Sequence, residues 1–263
     1  MTVRPSPPDR HYLYSASVQH PAGDLRFFRT VYERRHGHPF HTLREDFCGT
    51  ALLASQWVLR SRKHRAWGID LDPEVLDWSR AHWGTRLGKA AERLCLECRD
   101  VLDVRGPKVD VVAALNFSYS VFKTRTLLRR YLEGARRSLT PGGLVVLDAW
   151  GGSDVLDEVT DHRRVDAGVA FDGTRIPAFT YFWEQRRFDP ETHDIVCHMH
   201  FRLRNQPPMH RAFSYRWRLW TLPELKEVMA EAGLSDVETY PEDWHGARRR
   251  RTRGANDPCW LAY

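Results

Sequence analysis

Two acidic residues and a small-residue turn offer the first chemistry in this chain. Leu43-Arg44-Glu45-Asp46 reads as a strand end, Phe47-Cys48-Gly49-Thr50-Ala51 as a tight turn, and Leu52-Leu53 as the start of a helix. Ala66-Trp67-Gly68-Ile69 then reads as a second strand that ends in Asp70, and Leu71-Asp72-Pro73 opens a second helix. That order is a mononucleotide-binding βαβ unit. Its small-residue turn lets a ligand approach the backbone, its helix-start N–H groups favour an anion, and a carboxylate placed like that of Asp70 accepts both hydrogens of a ribose diol. A dinucleotide site asks for G-x-G-x-x-G, which one glycine here matches poorly.

Further candidates lie at the ends of later strands. Leu94-Cys95-Leu96-Glu97-Cys98 alternates as a third strand and leads into Arg99-Asp100-Val101. Val109-Asp110-Val111-Val112-Ala113-Ala114-Leu115 is a continuous buried strand that ends in Asn116-Phe117-Ser118-Tyr119. Cys95 and Cys98 form a C-x-x-C with no second pair, so no metal site is expected. His198 and His200 share one face of a later alternating stretch, with Arg202 next in line and Glu184 on its neighbour. If that face covers a cofactor, one histidine is a candidate general base; if it faces water, both are polar surface.

The elements that must position these residues follow from pattern. A helix is expected around residues 12–35, and a short disordered lead over 1–11. Asp72 is the N-cap of a helix with Pro73 at its first position. Another helix is expected near 124–138, and Pro141-Gly142-Gly143 turns into the strand Leu144-Val145-Val146-Leu147-Asp148. Alternation of strands and helices predicts an α/β fold with a parallel sheet. Stretches 178–188, 194–203 and 210–220 then alternate with period two and predict a three-stranded antiparallel meander. Thr221-Leu222-Pro223-Glu224 is a capping box that opens a last helix. Val237-Glu238-Thr239-Tyr240 and Cys259-Trp260-Leu261-Ala262-Tyr263 predict a closing hairpin.

Composition bounds the partners. The 263 residues are 42% hydrophobic, enough for one large domain with an insertion, and carry a net charge of +6. Only Arg248-Arg249-Arg250-Arg251-Thr252-Arg253 is a basic cluster, and a solvated loop is favoured for it over a nucleic-acid contact. No apolar run approaches the ~20 residues of a membrane span. Five cysteines at irregular positions suggest a reducing compartment, the cytoplasm, without a disulfide framework.

The turn resembles the first motif of class I S-adenosylmethionine (SAM) methyltransferases, acidic-x-G-C-G-T-G. Glu45 takes the acidic place, Cys48-Gly49-Thr50 match, and Phe47 and Ala51 replace two glycines. The resemblance runs from about residue 43 to 263. It implies a Rossmann-like seven-stranded sheet with an antiparallel β insertion after the fifth strand, at about 165–220, in one domain spanning 12–263. It implies SAM as cofactor and S-adenosylhomocysteine as product. Asp70 would bind the ribose, with Leu71 beside the adenine. Asp100 would contact the adenine amino group, with Val101 against the ring. Phe47, Cys48, Gly49 and Thr50 would form the turn under the methionine part, with the Phe47 side chain pointing away. Glu45 would hold the ammonium, and Asn116 and Tyr119 would lie near the transferred methyl. The acceptor is expected against Tyr12, Tyr14, Tyr119 and Trp183, with Tyr119, His198 and His200 as catalytic candidates.

Three functions fit these residues. The favoured one is transfer of a methyl group to nitrogen or oxygen of a small molecule, since the meander looks similar to the amine- and sugar-modifying branch. The second is an RNA or protein methyltransferase, motivated by the positive charge. The third is a non-catalytic SAM-binding or regulatory protein, motivated by Phe47 and Ala51.

Overall fold

The computed structural model describes residues 8–150, 156–234, 236–241 and 259–262. The chain divides into two compact units, residues 156–219 with the N-terminal 1–19 forming one and residues 20–155 with 220–263 forming the other. Of the expected lead, residues 1–7 lie outside the described residues. The rest is shorter than expected, because α1 (Arg10–Val18) begins at once, capped by the Asp9 side chain on the His11 N–H. The single helix expected over 12–35 is two. α2 (Pro21–His36) starts afresh after extended Gln19. Pro21 explains the break, since it disfavours helical backbone at the residue before it.

The larger unit is built on β1 (Thr42–Asp46), β2 (Arg65–Asp70), β3 (Leu94–Cys98), β4 (Val109–Ala114) and β5 (Leu139–Ala149). These strands are mutually parallel and lie in the spatial order β5-β4-β1-β2-β3. The chain runs outward from β1 to β3, then crosses back to β4 on the other side of β1. The order therefore reverses between β1 and β4, and the carboxyl ends of these two strands flank the crevice where such sheets bind ligands. α3 (Leu52–Arg60), α4 (Pro73–Leu87) and α5 (Arg125–Arg137) connect the strands. Asp72 caps α4 and Thr124 caps α5, each through its side chain. β4 is buried at all but Asp110, as a strand covered on both faces must be.

The other unit contains a four-stranded antiparallel sheet. β6 (Val159–Val165), β9 (Phe179–Arg186), β10 (Asp194–Leu203) and β11 (Met209–Arg218) pair in the order β6-β9-β10-β11, and β7 (Gly168–Val169) and β8 (Arg175–Ile176) form a small hairpin. The expected meander is present as β9–β11; β6 is a fourth strand that the sequence does not announce. Its residues Val159-Thr160-Asp161-His162-Arg163-Arg164 are exposed, so no apolar alternation marks it. Along β10, Ile195, Cys197, Met199, Phe201 and Leu203 are buried on one face.

The chain then returns to the larger unit. Trp220 donates its indole N–H to the Phe122 carbonyl at 3.0 Å, and α6 (Leu222–Glu231) opens with the expected capping box between Thr221 and Glu224. Leu225, Val228 and Met229 of α6 join Leu128, Tyr131 and Leu132 of α5 in one apolar cluster with β4 and β5. β12 (Glu238–Pro241) and β13 (Cys259–Ala262) pair antiparallel, and β13 adds antiparallel to β5. The basic run at 248–253 lies outside the described residues. No helix among the described residues is long and apolar enough to cross a membrane.

Thr221 satisfies an otherwise orphaned N–H at the start of α6, so Thr221→Ala should cost about 1 kcal/mol. Urea unfolding should show a lower midpoint with an unchanged slope.

Candidate cofactor site

The site is assembled at the carboxyl ends of β1, β2 and β4. Side chains alternate along a strand, so Arg44 and Asp46 share one face of β1 and Glu45 takes the other. Arg44 Nε lies 2.8 Å from Asp46 Oδ1, with side-chain exposures of 3% and 0%. A second guanidinium nitrogen donates to Asp46 Oδ2 at 2.9 Å and the third to Ser138 Oγ at 2.7 Å. The Tyr131 hydroxyl donates to the same Asp46 oxygen at 2.9 Å. This network ties the last residue of β1 to the middle of α5 and to its C-cap. On the opposite face Glu45 accepts the Ala54 N–H of α3 at 2.8 Å. Burial pushes its carboxyl up to about 8, against that single hydrogen bond.

The turn after β1 holds left-handed backbone at Phe47 (φ 55), Gly49 (φ 52) and Ala51 (φ 52). These are the three positions at which the resemblance calls for glycine, so Phe47 and Ala51 change the residue and keep the conformation. The Phe47 ring is packed against Phe122 and Tyr131, with centroids 5.9 and 5.6 Å apart. The Cys48 N–H donates to the Ile69 carbonyl at 2.9 Å. A side chain on Gly68 would meet Leu96, the Cys48 sulfur and Ala51 at 2.9–3.2 Å, so glycine there lets the turn dock on β2.

Asp70 organises this arrangement. One carboxylate oxygen accepts the Gly49 N–H at 2.7 Å and the other the Asp72 N–H at 3.0 Å. Each oxygen keeps a second lone pair for a ligand. Two further observations fit a ligand against the turn. A Cβ built on Gly49 meets nothing within 4 Å, and the buried Thr50 hydroxyl has no hydrogen-bond partner among the described residues. Leu71, beside Asp70, is 66% exposed. Asp100 caps the turn after β3 by accepting the Leu102 N–H at 2.8 Å, with Val101 buried beside it.

At the end of β4, Asn116 and Phe117 are both left-handed, with φ 55 and 56. Their N–H groups donate to the Asp148 carboxylate at 2.6 and 2.9 Å. Burial pushes that carboxyl up to about 7, although these two donors pull it down. Phe117 stacks on Trp150 at 4.1 Å. Neither Asp148 nor this stack is among the sequence candidates. The only sequence signal is an acid at the end of a buried strand.

Tyr119 lies in the core beside β5. Its ring is 2% exposed and its hydroxyl donates to the Asp148 carbonyl at 2.8 Å, which ties the turn after β4 to β5. Tyr12, Tyr14, Trp183, His198 and His200 all belong to the antiparallel unit. Tyr12 is buried there and donates to Asp172 at 2.6 Å, which makes it a tie within that unit. Tyr14 packs on Phe213 at 5.0 Å. Trp183 sits beside Tyr215 and Trp217, which stack on each other at 4.3 Å.

The histidines are engaged. His200 Nδ1 accepts the Arg211 N–H at 3.1 Å, which leaves the proton on Nε2, 3.1 Å from a Glu184 oxygen. That hydrogen-bond pattern fixes the tautomer and occupies the lone pair a base would use. His198 Nδ1 lies 2.8 Å from Ser214 Oγ, and burial lowers its pKa. No group of three metal-ligating side chains exists among the described residues.

Solved structures share this architecture. A SAM-dependent methyltransferase from Clostridium acetobutylicum ATCC 824 superposes with a TM-score of 0.69 over 96% of each chain at 13% identity. The chain has a methyltransferase fold. The sugar N-methyltransferase KedS8 from Streptoalloteichus sp ATCC 53650 matches 99% of this chain and 95% of its own, with a TM-score of 0.64 and 18% identity. CalS10, an amino pentose methyltransferase from Micromonospora echinaspora involved in calicheamicin biosynthesis and solved with SAM bound, matches 100% and 99%, with a TM-score of 0.67 and 14% identity. No protein-family model and no curated protein sequence matches the chain.

Removing one member of a buried ion pair strands the other. Arg44→Met should therefore cost about 3–5 kcal/mol, and adding Asp46→Leu should recover much of it. Denaturant unfolding of the single and double variants checks this.

Proposed function

We propose that the protein is a SAM-dependent methyltransferase acting on nitrogen or oxygen of a small-molecule acceptor. The observation that carries this reading is the turn from Glu45 to Ala51, whose three glycine-type positions are held under Asp70 with an open face at Gly49. The substitutions that motivated the non-catalytic reading, Phe47 and Ala51, leave this backbone intact. Likeness of fold to enzymes that methylate sugars supports a compact acceptor. The partly exposed ring of Trp183, with Tyr215 beside it, gives the antiparallel unit an aromatic surface suited to such a molecule.

SAM supplies an activated methyl on a sulfonium, whose displacement releases a neutral thioether. The protein's task is then to bind and orient, since proximity and alignment provide most of the acceleration. Asp70 would take the ribose hydroxyls on its remaining lone pairs. Leu71 and Val101 would flank the adenine, and Asp100 would accept from its amino group. Gly49 and Cys48 would admit the methionine part, with Thr50 donating to it. Glu45 would face the ammonium, and Asn116 would lie toward the methyl. Asp70→Asn keeps the shape and removes the charge, so SAM affinity should fall by about 1.5–3 kcal/mol. Titration calorimetry reads this directly, and an unchanged affinity would sink the Asp70 assignment.

Glu45 provides a second, independent check. With its carboxyl at about 8, it is mostly protonated at pH 7. An arriving ammonium lowers that pKa and drives the proton off. SAM binding at pH 7 should release up to about one proton and tighten as the pH rises from about 6 to 8. Calorimetry in buffers of different ionisation enthalpy measures the release, and Glu45→Gln should abolish it. Proton uptake on binding would contradict the role given to Glu45.

A further inference from the structure

Two consecutive non-glycine residues in the left-handed region are a costly way to end a strand. Asn116 and Phe117 adopt it, at φ 55 and 56, where β4 meets the crevice. Such strain persists only where the surroundings impose it, and it gathers at functional sites. Here the imposing group is one side chain. Asp148, partly buried at the end of β5, accepts both amide N–H groups at 2.6 and 2.9 Å. The same segment closes on Asp148 a second time, because the Tyr119 hydroxyl donates to its carbonyl at 2.8 Å. Beyond the turn, Ser118 Oγ donates to the Leu115 carbonyl at 2.8 Å and the Ser120 N–H to the Phe117 carbonyl at 2.9 Å. Phe117 is stacked on Trp150. Among these contacts only the carboxylate bonds both left-handed amides.

We propose that Asp148 is a positioning residue of the methyl-transfer site, pinning the Asn116 and Phe117 amides so that the strained turn presents Asn116 toward the cofactor. This rests on the function proposed above. Asp148 touches no reacting atom; it acts through Asn116. An uncharged side chain of the same shape cannot replace it. Asparagine at 148 keeps one carbonyl acceptor and turns an NH2 donor toward the second amide, so one of the two N–H groups loses its partner.

The test is SAM titration calorimetry, with amide hydrogen exchange at residues 116–118, on four proteins: wild type, Asp148→Asn, Phe117→Gly and the double variant. Thermal melting confirms that each is folded. Asp148→Asn should weaken SAM binding about tenfold or more, the scale of one lost charge-assisted bond, and should strip exchange protection from the Asn116 and Phe117 amides. Glycine takes positive φ without penalty. Phe117→Gly alone should therefore bind SAM within about threefold of wild type, and in the Asp148→Asn background it should return affinity to about that level. A merely structural acid gives no such rescue. The proposal is overturned if Asp148→Asn binds SAM as wild type does, or if Phe117→Gly fails to restore it. If wild type itself does not bind SAM, the functional reading fails; unchanged protection of the two amides in Asp148→Asn would then overturn the pinning as well, and its loss would uphold it.

Discussion

Four non-glycine residues at the carboxyl edge of the parallel sheet, Phe47, Ala51, Asn116 and Phe117, hold left-handed backbone. Each costs about 1–2 kcal/mol, so the sum rivals the net stability of a typical domain. Asp70 takes the Gly49 amide between Phe47 and Ala51, and Asp148 takes the amides of Asn116 and Phe117. The hydrogen bonds to Asp148 offset part of the strain at the two residues they reach. The edge that must open toward a ligand is thus kept in shape by carboxylates beneath it.

The acids around this edge differ in their surroundings. Asp46 meets a guanidinium and a tyrosine hydroxyl. Glu45, one residue away on the other face, has one backbone N–H and deep burial, which raises its carboxyl to about 8. Asp110, near the opposite end of β4, is half-buried yet held below the usual carboxylate range. It accepts the His41 and Thr42 N–H groups and the Thr140 hydroxyl, and these outweigh the burial. One strand therefore carries an ion-paired acid beside one whose carboxyl burial pushes up to about 8, and alternation along the strand is what separates them.

The antiparallel unit follows a different rule. Its buried face is apolar along β10, while on the other face His200 pairs with Glu184 and His198 with Ser214. The Arg211 amide that fixes the His200 tautomer comes from a left-handed residue opposite the irregularity in the β10–β11 register. A bulge re-aims a backbone group in this way, and no spacing in the sequence predicts it.

Local chemistry was legible wherever one residue decides it. Asp72 and Thr221 mark helix starts by their own hydrogen bonds and Pro73 by its fixed φ, the apolar run 109–115 marks a strand covered on both faces, and Cys48-Gly49-Thr50 marks the turn after β1. Each of these signals is carried by neighbours in sequence. Three things needed the tertiary structure. β6 is a strand because β9 offers it an edge, not because of its own exposed side chains. Only packing against β5 gives the Tyr119 hydroxyl to the Asp148 carbonyl. Asp148 itself is 31 and 32 residues from the amides it binds. Pairing across such a distance is set by how β4 and β5 lie side by side, and no local pattern encodes it.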